Sequence, residues 1–546
     1  MMTQNISNTT LSNLIINIFN QYKIDNVCIC PGSRNTPLNL AFLSNISFKC
    51  TSHIDERAAA FFSLGLSKAS LKPSIILTTS GTAAANLLPA VIESDLSSIP
   101  LIIITADRPK ALINTGENQT IKQDELFKDF TRESIHIDTA DKNSLESIKD
   151  NIQAIIEKAI GVIGGDAPGP VHLNISFDEP LIDEFNAYDI EINANKEQMS
   201  LYEHFLFPKF KYPLIVCGQI NNSKYNSLII ELSEKLNCPI FADPLSQLRY
   251  DKKHPNIFSY YDYYADQLTI KPDYIIRFGK KPISKKLNIV LEKFGKHNMI
   301  LFSDYKHYNE NIYSITIKDI DSIDNIHRGN YIDSISELEH KTKKIVVNRL
   351  NNKDFFEGNI LNHCVNQFTN DDNLFIGNSL PVRTLEKFCP NGDKKINIYS
   401  NRGVSGIDGL IATALGTAYQ NQSKRNILIL GDISFFYDMT SLLIGNNYSI
   451  NLNIIIINNN GGQIFNTLTY KNKIDQKYNE FWTTPIDIEI EQVCKTYKQT
   501  YYNLRSINDI DQNLNKILDT KGINIIEIKT DFEITKNIEE KIQKSI

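Results

Sequence analysis

Long hydrophobic runs are missing from this sequence. None approaches the ~18 apolar residues that a membrane-spanning helix needs, so no transmembrane segment is expected. The first residues, MMTQNISNTT, lack a basic stretch followed by an apolar one, so no secretory signal is expected either. The eight cysteines form no framework. Cys28 and Cys30 make a C-x-C pair inside an apolar run, and Cys50, Cys217, Cys238, Cys364, Cys389 and Cys494 are scattered. Neither zinc ligation nor disulfides are supported, and a reducing cytoplasm is the expected compartment. A basic excess is also absent. Lys and Arg number 57 against 63 Asp and Glu, a net charge of −6, which argues against a nucleic-acid partner. No G-x-G-x-x-G follows an apolar run, which makes a dinucleotide oxidoreductase a poor reading.

What is present is ordinary for a globular chain of 546 residues, with 42% hydrophobic and 22% charged residues. Short apolar runs at 27–30, 75–78, 101–105, 171–175, 214–217, 239–242, 274–278, 299–302, 374–376, 396–399, 427–430 and 452–457 read as strands. Between many of them lie segments with helical spacing, such as 11–22, 56–69, 82–96, 143–160, 223–236 and 407–419. Strands alternating with helices predict βαβ units and parallel sheets. The expected fold is α/β: three doubly wound parallel-sheet domains over 1–185, 186–345 and 346–546. Residues 186–210 read as a linker, and about 320–355 as a charged, weakly periodic connection.

Ligands of open α/β sheets bind at the carboxyl ends of the strands, and the informative segments lie there. Gly431-Asp432 follows one strand, and Asn458-Asn459-Asn460-Gly461-Gly462 follows the next. A carboxylate and an amide oxygen at neighbouring strand ends, with a backbone carbonyl near Gly461, make a hard-oxygen site suited to Mg²⁺ shared with phosphates. Both segments also read as ordinary turns. Glu56 stands where a strand meets an apolar helix, in His53-Ile54-Asp55-Glu56-Arg57-Ala58-Ala59-Ala60. Alone it reads as a first-turn Glu favoured by the helix dipole.

Together with the Gly81-Thr82 turn, these segments resemble the thiamine diphosphate enzyme superfamily. The resemblance implies a pyrimidine-binding domain (1–185) carrying Glu56, a middle domain (186–345), and a diphosphate- and Mg²⁺-binding domain (346–546) carrying Asp432, Asn459 and Gly461. Further segments look like the 2-succinyl-5-enolpyruvyl-6-hydroxy-3-cyclohexene-1-carboxylate synthase family of menaquinone biosynthesis. They are Cys30-Pro31-Gly32-Ser33-Arg34-Asn35-Thr36-Pro37, Thr105-Ala106-Asp107-Arg108-Pro109, Gly116-Glu117-Asn118-Gln119-Thr120, Gly377-Asn378-Ser379-Leu380-Pro381-Val382-Arg383 and Tyr399-Ser400-Asn401-Arg402-Gly403-Val404-Ser405-Gly406-Ile407-Asp408-Gly409. Ile433, where the superfamily usually has Gly, suits this branch.

The resemblance implies condensation of 2-oxoglutarate with isochorismate and loss of CO₂, with thiamine diphosphate and Mg²⁺ (or Mn²⁺) as cofactors. It places Glu56 against the cofactor's pyrimidine and Ile407 beneath the bent cofactor. Asp432, Asn459 and Gly461 hold the metal, and Ser379 adjoins cofactor and substrate. Arg383, Arg402 and Ser379 face the 2-oxoglutarate-derived end. Ser33, Arg34, Arg108, Asn118, Gln119, Lys285 and Lys286 face isochorismate, although position 286 is Lys where the family has Arg. Two substrates with four carboxylates need several cations, and Arg suits bidentate carboxylate binding. Ala59 and Ala60 are expected to keep Glu56 poorly solvated. A homodimer or homotetramer with active sites at the subunit interface is implied. Two other readings stand beside this one: another 2-oxoacid decarboxylase or carboligase of the acetolactate synthase type, and a non-catalytic α/β ligand-binding protein.

Overall fold

Runs of Ile and Leu with no alternation suit strands buried on both faces, and that is how they are used. A computed structural model describes residues 6–141, 143–161, 166–188, 190–192, 209–221, 223–303, 305, 314–316 and 330–546. Among these residues the strands form three six-stranded sheets in which every neighbouring pair is parallel. The first contains β1 (Asn26–Ile29), β2 (Lys49–Ser52), β3 (Ser74–Thr78), β4 (Leu101–Asp107), β5 (Ser134–Asp138) and β6 (Pro170–Ser176), in the order β2-β1-β3-β4-β6-β5. The second contains β7 (Pro213–Cys217), β8 (Ile240–Ala242), β9 (Ile257–Phe258), β10 (Tyr274–Phe278), β11 (Met299–Ser303) and β12 (Ser314–Thr316), ordered β12-β11-β10-β7-β8-β9. The third contains β13 (Asn373–Ile376), β14 (Asn397–Tyr399), β15 (Asn426–Gly431), β16 (Leu452–Asn458), β17 (Thr500–Asn503) and β18 (Ile523–Lys529), ordered β14-β13-β15-β16-β18-β17.

The first and third sheets share one strand permutation, so each has its switch of winding direction at the equivalent place: between β1 and β3, and between β13 and β15. A crevice opens outside the strand ends at such a switch. The segments singled out above, Pro31–Arg34, Ser80-Gly81, Asn378-Ser379 and Gly431-Asp432, all follow those four strands.

The described residues divide into two compact units. One holds the first sheet with residues 401–421 and 438–448, and the other holds the second and third sheets. In the first unit the helices Asn8–Gln21, Thr36–Ser44 and Leu145–Ile160 cover one face of the sheet, burying Leu14, Ile18, Phe42, Ile152 and Ile156 against Val27, Ile75 and Ile102. Helix Glu56–Ser70 packs against β1 and β3 and against helix Leu410–Gln420. That last contact is backbone on backbone. A Cβ on Gly416 would lie 2.1 Å from Phe62 O, and one on Gly65 would lie 2.2 Å from Thr413 O. Gly416→Ala therefore has to force two helices apart. Overpacking of this kind costs about 1–3 kcal/mol or more, so thermal unfolding of the variant is expected several degrees below wild type.

The apolar-run reading includes none of β2, β5, β9, β12, β17 and β18. Three further differences have a clear physical reason. The helix expected over 82–96 is two helices, Thr82–Ala85 and Leu88–Ser97. Pro89 has no N–H to continue the ladder, and its ring would collide with the carbonyl a turn earlier. The helix expected from 407 starts at Leu410, because Gly409 caps it at φ 64° with the Phe61 ring where a Cβ would be. The weakly periodic connection contains the helix Tyr331–Leu350, which buries Tyr331, Ile335, Glu339, Thr342, Val346 and Leu350. Residues 193–208 of the expected linker and 317–329 of the expected connection lie outside the described residues. All eight cysteines are unpaired. No described helix is long and apolar enough to cross a membrane.

Candidate active site

In the first unit, Glu56 is the first residue of its helix, and Asp55 caps that helix by accepting the Ala58 N–H at 3.0 Å. The flanking residues are fixed: Arg57 pairs with buried Asp438 at 3.2 Å, and Asp55 accepts from Thr440 Oγ1 at 3.2 Å. The Glu56 carboxylate is half-buried and accepts from Asn86 Nδ2 at 3.3 Å. Ala59 and Ala60 are buried in the packed helix and do not wrap it. In the single chain Glu56 is thus better solvated than expected, because a residue at a helix start faces the open end of the turn. Nearby His53 is 5% exposed, with Nε2 2.9 Å from Thr51 Oγ1. Burial pulls its imidazole down to about 4, so it is neutral at pH 7 and serves packing.

Ser33 and Arg34 follow the Pro-Gly turn after β1. Arg34 donates to Phe177 O at 2.9 Å and pairs with exposed Glu179 at 3.3 Å, while its buried Nε has no partner among the described residues. At the ends of β3 and β4, Arg108 Nη1 donates to Ser80 Oγ at 2.9 Å and to Gln119 O at 3.1 Å. Gln119 returns a bond to Ser80 O at 2.9 Å. Fully buried Gln123 accepts the Gly81 N–H at 2.7 Å. Gly81 stands at φ 85°, where a Cβ would meet Gln119 Cγ at 2.7 Å. The turn is therefore clamped from both sides, with Arg108 across it. Ser33 and Asn118 are exposed beside these residues in sequence.

Arg402 and Ile407, both half-buried, lie on the loop that leads into helix Leu410–Gln420. Buried Glu93 fixes this loop by accepting the N–H groups of Gly403 at 3.0 Å and Val404 at 2.9 Å. Lys68 lies 3.4 Å from Glu93 and supplies the counter-charge.

In the second unit, Ser379 caps helix Leu380–Phe388 in the left-handed region at φ 69°. Arg383 folds back onto the Ser379 carbonyl. Strain of this kind collects at functional turns, and Asn460 (φ 61°) and Gly461 (φ 114°) show it again after β16. Asp432 Oδ2 accepts the Gly461 N–H at 2.7 Å. Asn459 Nδ2 donates to Glu357 Oε1 at 2.8 Å. The glycine loop is pinned by Gly462 N–H to Thr483 O at 2.7 Å, and a Cβ on Gly461 would lie 2.3 Å from that same carbonyl.

Burial pushes the Asp432 carboxyl up to about 6 and the Glu357 carboxyl up to about 7, the latter against the stabilising bond from Asn459. Among the described residues no cluster of three or more His, Cys, Asp or Glu could hold a metal. One carboxylate, one amide and a backbone carbonyl leave coordination positions for diphosphate oxygens, so the donor set fits Mg²⁺ carried with a diphosphate. Lys285 and Lys286 open the helix Lys285–Asn298. Lys285 is exposed, whereas Lys286 is spent inside the fold, donating to Tyr263 O and Gln543 Oε1, both at 3.1 Å.

The model of the N-terminal TPP-binding domain of thiamine pyrophosphate enzymes matches residues 9–126, and that of their C-terminal TPP-binding domain matches residues 392–528. A 2-succinyl-5-enolpyruvyl-6-hydroxy-3-cyclohexene-1-carboxylate synthase of Staphylococcus epidermidis is 34% identical over 507 residues, 89% of each chain. The synthase of that name from Staphylococcus aureus is 34% identical over 534 residues (94% of this chain, 92% of the other). The one from Roseiflexus sp. is 31% identical over 540 residues, 92% of each. The chain belongs to this synthase family. As a member of the synthase family it is a thiamine diphosphate-dependent enzyme.

Several residues that hold the candidate residues in place within each unit are absent from the sequence reading: Ser80, Gln123, Glu93 with Lys68, and Glu357. Glu93 and Lys68 had a sequence signal, a lone charge on an otherwise apolar helix face. Glu357, next to Phe355-Phe356, had the same one.

Proposed function

We propose that the protein condenses 2-oxoglutarate with isochorismate, releasing CO₂ and forming 2-succinyl-5-enolpyruvyl-6-hydroxy-3-cyclohexene-1-carboxylate for menaquinone biosynthesis. Similarity to synthases of that name over about nine-tenths of the chain carries the reading. Bound thiamine diphosphate would supply the nucleophilic carbon and electron sink that decarboxylation of a 2-oxoacid needs. The chain's residues do the rest. Asp432, Asn459 and the Gly461 carbonyl hold Mg²⁺ (or Mn²⁺) with the diphosphate. Glu56 holds and moves a proton at the pyrimidine ring nitrogen. Ile407 supports the cofactor's bent form, and Ser379 adjoins its reacting end.

The resemblance to the synthase family divides the cations between the two substrates. Arg383 and Arg402, with Ser379, take the carboxylates of the 2-oxoglutarate-derived fragment. Ser33, Arg34, Arg108, Asn118, Gln119 and Lys285 take isochorismate, with Lys286 in a supporting place because its ammonium already serves the fold. The Arg34 cation after β1 and the Arg108–Ser80–Gln119 cluster support a second polyanionic substrate, which a one-carboxylate decarboxylase would not need. We place the enzyme in the cytoplasm as a homodimer or homotetramer with active sites completed at the subunit interface. Sedimentation velocity reads the assembly.

The deciding assay measures CO₂ release from 2-oxoglutarate. Release that requires isochorismate, thiamine diphosphate and Mg²⁺ supports the reading, and faster turnover of pyruvate overturns it. In the same assay, Arg383→Ala and Arg402→Ala are expected to lose chiefly in kcat/KM for 2-oxoglutarate. Arg34→Ala and Arg108→Ala should lose chiefly in that for isochorismate. Each loss should be about 2–5 kcal/mol, the cost of leaving a buried charge unpaired. Equal losses toward both substrates in all four variants would refute the division of the pocket.

A further inference from the structure

Glu357 is 2% exposed at the start of helix Glu357–Asn366 and has no ion-pair partner among the described residues. Its backbone N–H is tied to Thr535 Oγ1 at 3.2 Å. Gly358 after it is wedged against the Phe356 and Phe388 rings, where a Cβ would stand 2.5 and 2.6 Å from them. Burying a carboxylate with no counter-charge is costly, so its bonds deserve an explanation. It accepts from Asn459 Nδ2 at 2.8 Å and from Thr530 Oγ1 at 3.4 Å, both through Oε1.

We propose that Glu357 is a positioning residue for the metal site. It holds the Asn459 amide in the one orientation that presents Oδ1, not Nδ2, alongside Asp432. The reason is donor chemistry. An amide has an oxygen at one end and two N–H donors at the other, and the two ends have nearly the same shape. Packing alone cannot choose between them. Glu357 Oε1 accepts from the NH₂ end at 2.8 Å, which turns the amide oxygen away from the carboxyl group. A cation repelled by an N–H group needs that choice made before it arrives. Glutamate does this better than glutamine, which could accept from Asn459 in one orientation and donate to it in the other.

The inference rests on the assignment of Asp432 and Asn459 to Mg²⁺, and the test separates the two. Mg²⁺ is titrated into the full-length protein with thiamine diphosphate present. Binding is followed by calorimetry and by the fluorescence of Trp482, the only tryptophan, next to the loop at Gly462. Glu357→Leu is expected to weaken Mg²⁺ binding about 10–100-fold, the usual cost of losing a partner that orients a ligand. Combining it with Asn459→Asp should restore affinity to within a few-fold of wild type, since both terminal atoms of Asp are oxygens and orientation no longer matters. Should the leucine variant fail to fold, Glu357→Gln, expected to lose several-fold, and Glu357→Gln with Asn459→Asp, expected to regain it, carry the same comparison. Wild-type affinity in a folded Glu357 variant, or a double variant as weak as the single one, overturns the proposal. Asp432→Ala is the control arm. If it binds Mg²⁺ like wild type, the metal assignment itself falls, and the role of Glu357 falls with it.

Discussion

Asp432→Ala is expected to abolish Mg²⁺-dependent binding of thiamine diphosphate. The carboxylate sits at the end of β15, 4% exposed, and its burial is offset locally by the Gly461 N–H at 2.7 Å. Truncation removes the only anionic ligand assigned to the dication and leaves the Gly461 amide without its acceptor. Losing a group that merely orients a ligand costs about 10–100-fold in metal affinity, so loss of the ligand itself should exceed that range. Asp432→Asn separates the two contributions. It keeps the acceptor for Gly461 and nearly the same volume but loses the charge, so the fold should hold while metal binding still fails. Calorimetric titration of thiamine diphosphate with and without Mg²⁺, beside thermal unfolding of each variant, reads both. Cofactor bound as tightly as in wild type by a folded Asp432→Ala protein would remove the metal from this strand end.

Glu56→Gln is expected to keep cofactor binding and lose turnover by about 10²–10⁴-fold, the usual contribution of a positioned acid–base group. The substitution preserves shape at the helix start and retains a carbonyl oxygen for Asn86, 3.3 Å from the carboxylate in wild type. Asp55 keeps its cap on Ala58 at 3.0 Å, so the helix should not fray. What glutamine cannot do is cycle a proton. CO₂ release and product formation should therefore fall together, since both follow activation of the cofactor. Exchange of the cofactor's thiazolium C2 proton for deuterium, read by NMR on quenched samples, isolates the step. Wild-type exchange in the glutamine variant would show that Glu56 only begins a helix.

Much of this was legible because parallel strands announce themselves. A strand buried on both faces needs an unbroken apolar run, so strands such as β4, β6 and β16 stand out against the polar turns that end them. The residues proposed for the chemistry, Arg34, Arg108, Ser379 and Asp432, follow those runs closely. One failure of the reading came from polar burial. Helix Tyr331–Leu350 went unrecognised because two of its inward positions are Glu339 and Thr342. Glu339 can lie inside because it accepts from Ser259 N at 2.9 Å and Tyr264 OH at 2.7 Å, partners some 80 and 75 residues away in sequence.

The sequence by itself determined the α/β class, the strand ends that carry the chemistry and the family of the chain, because each is written in contiguous runs and short motifs. Only the tertiary structure decided the shared winding of the first and third sheets, the bonds from Glu93 to the loop that carries Arg402, and the bond between Asn459 and Glu357. These depend on groups brought together across 102 residues for Glu357 and 310 for Glu93. A buried carboxylate has no local signature that names its partner. Its hydrogen bonds are made by folding, and only the folded chain shows which donors it receives.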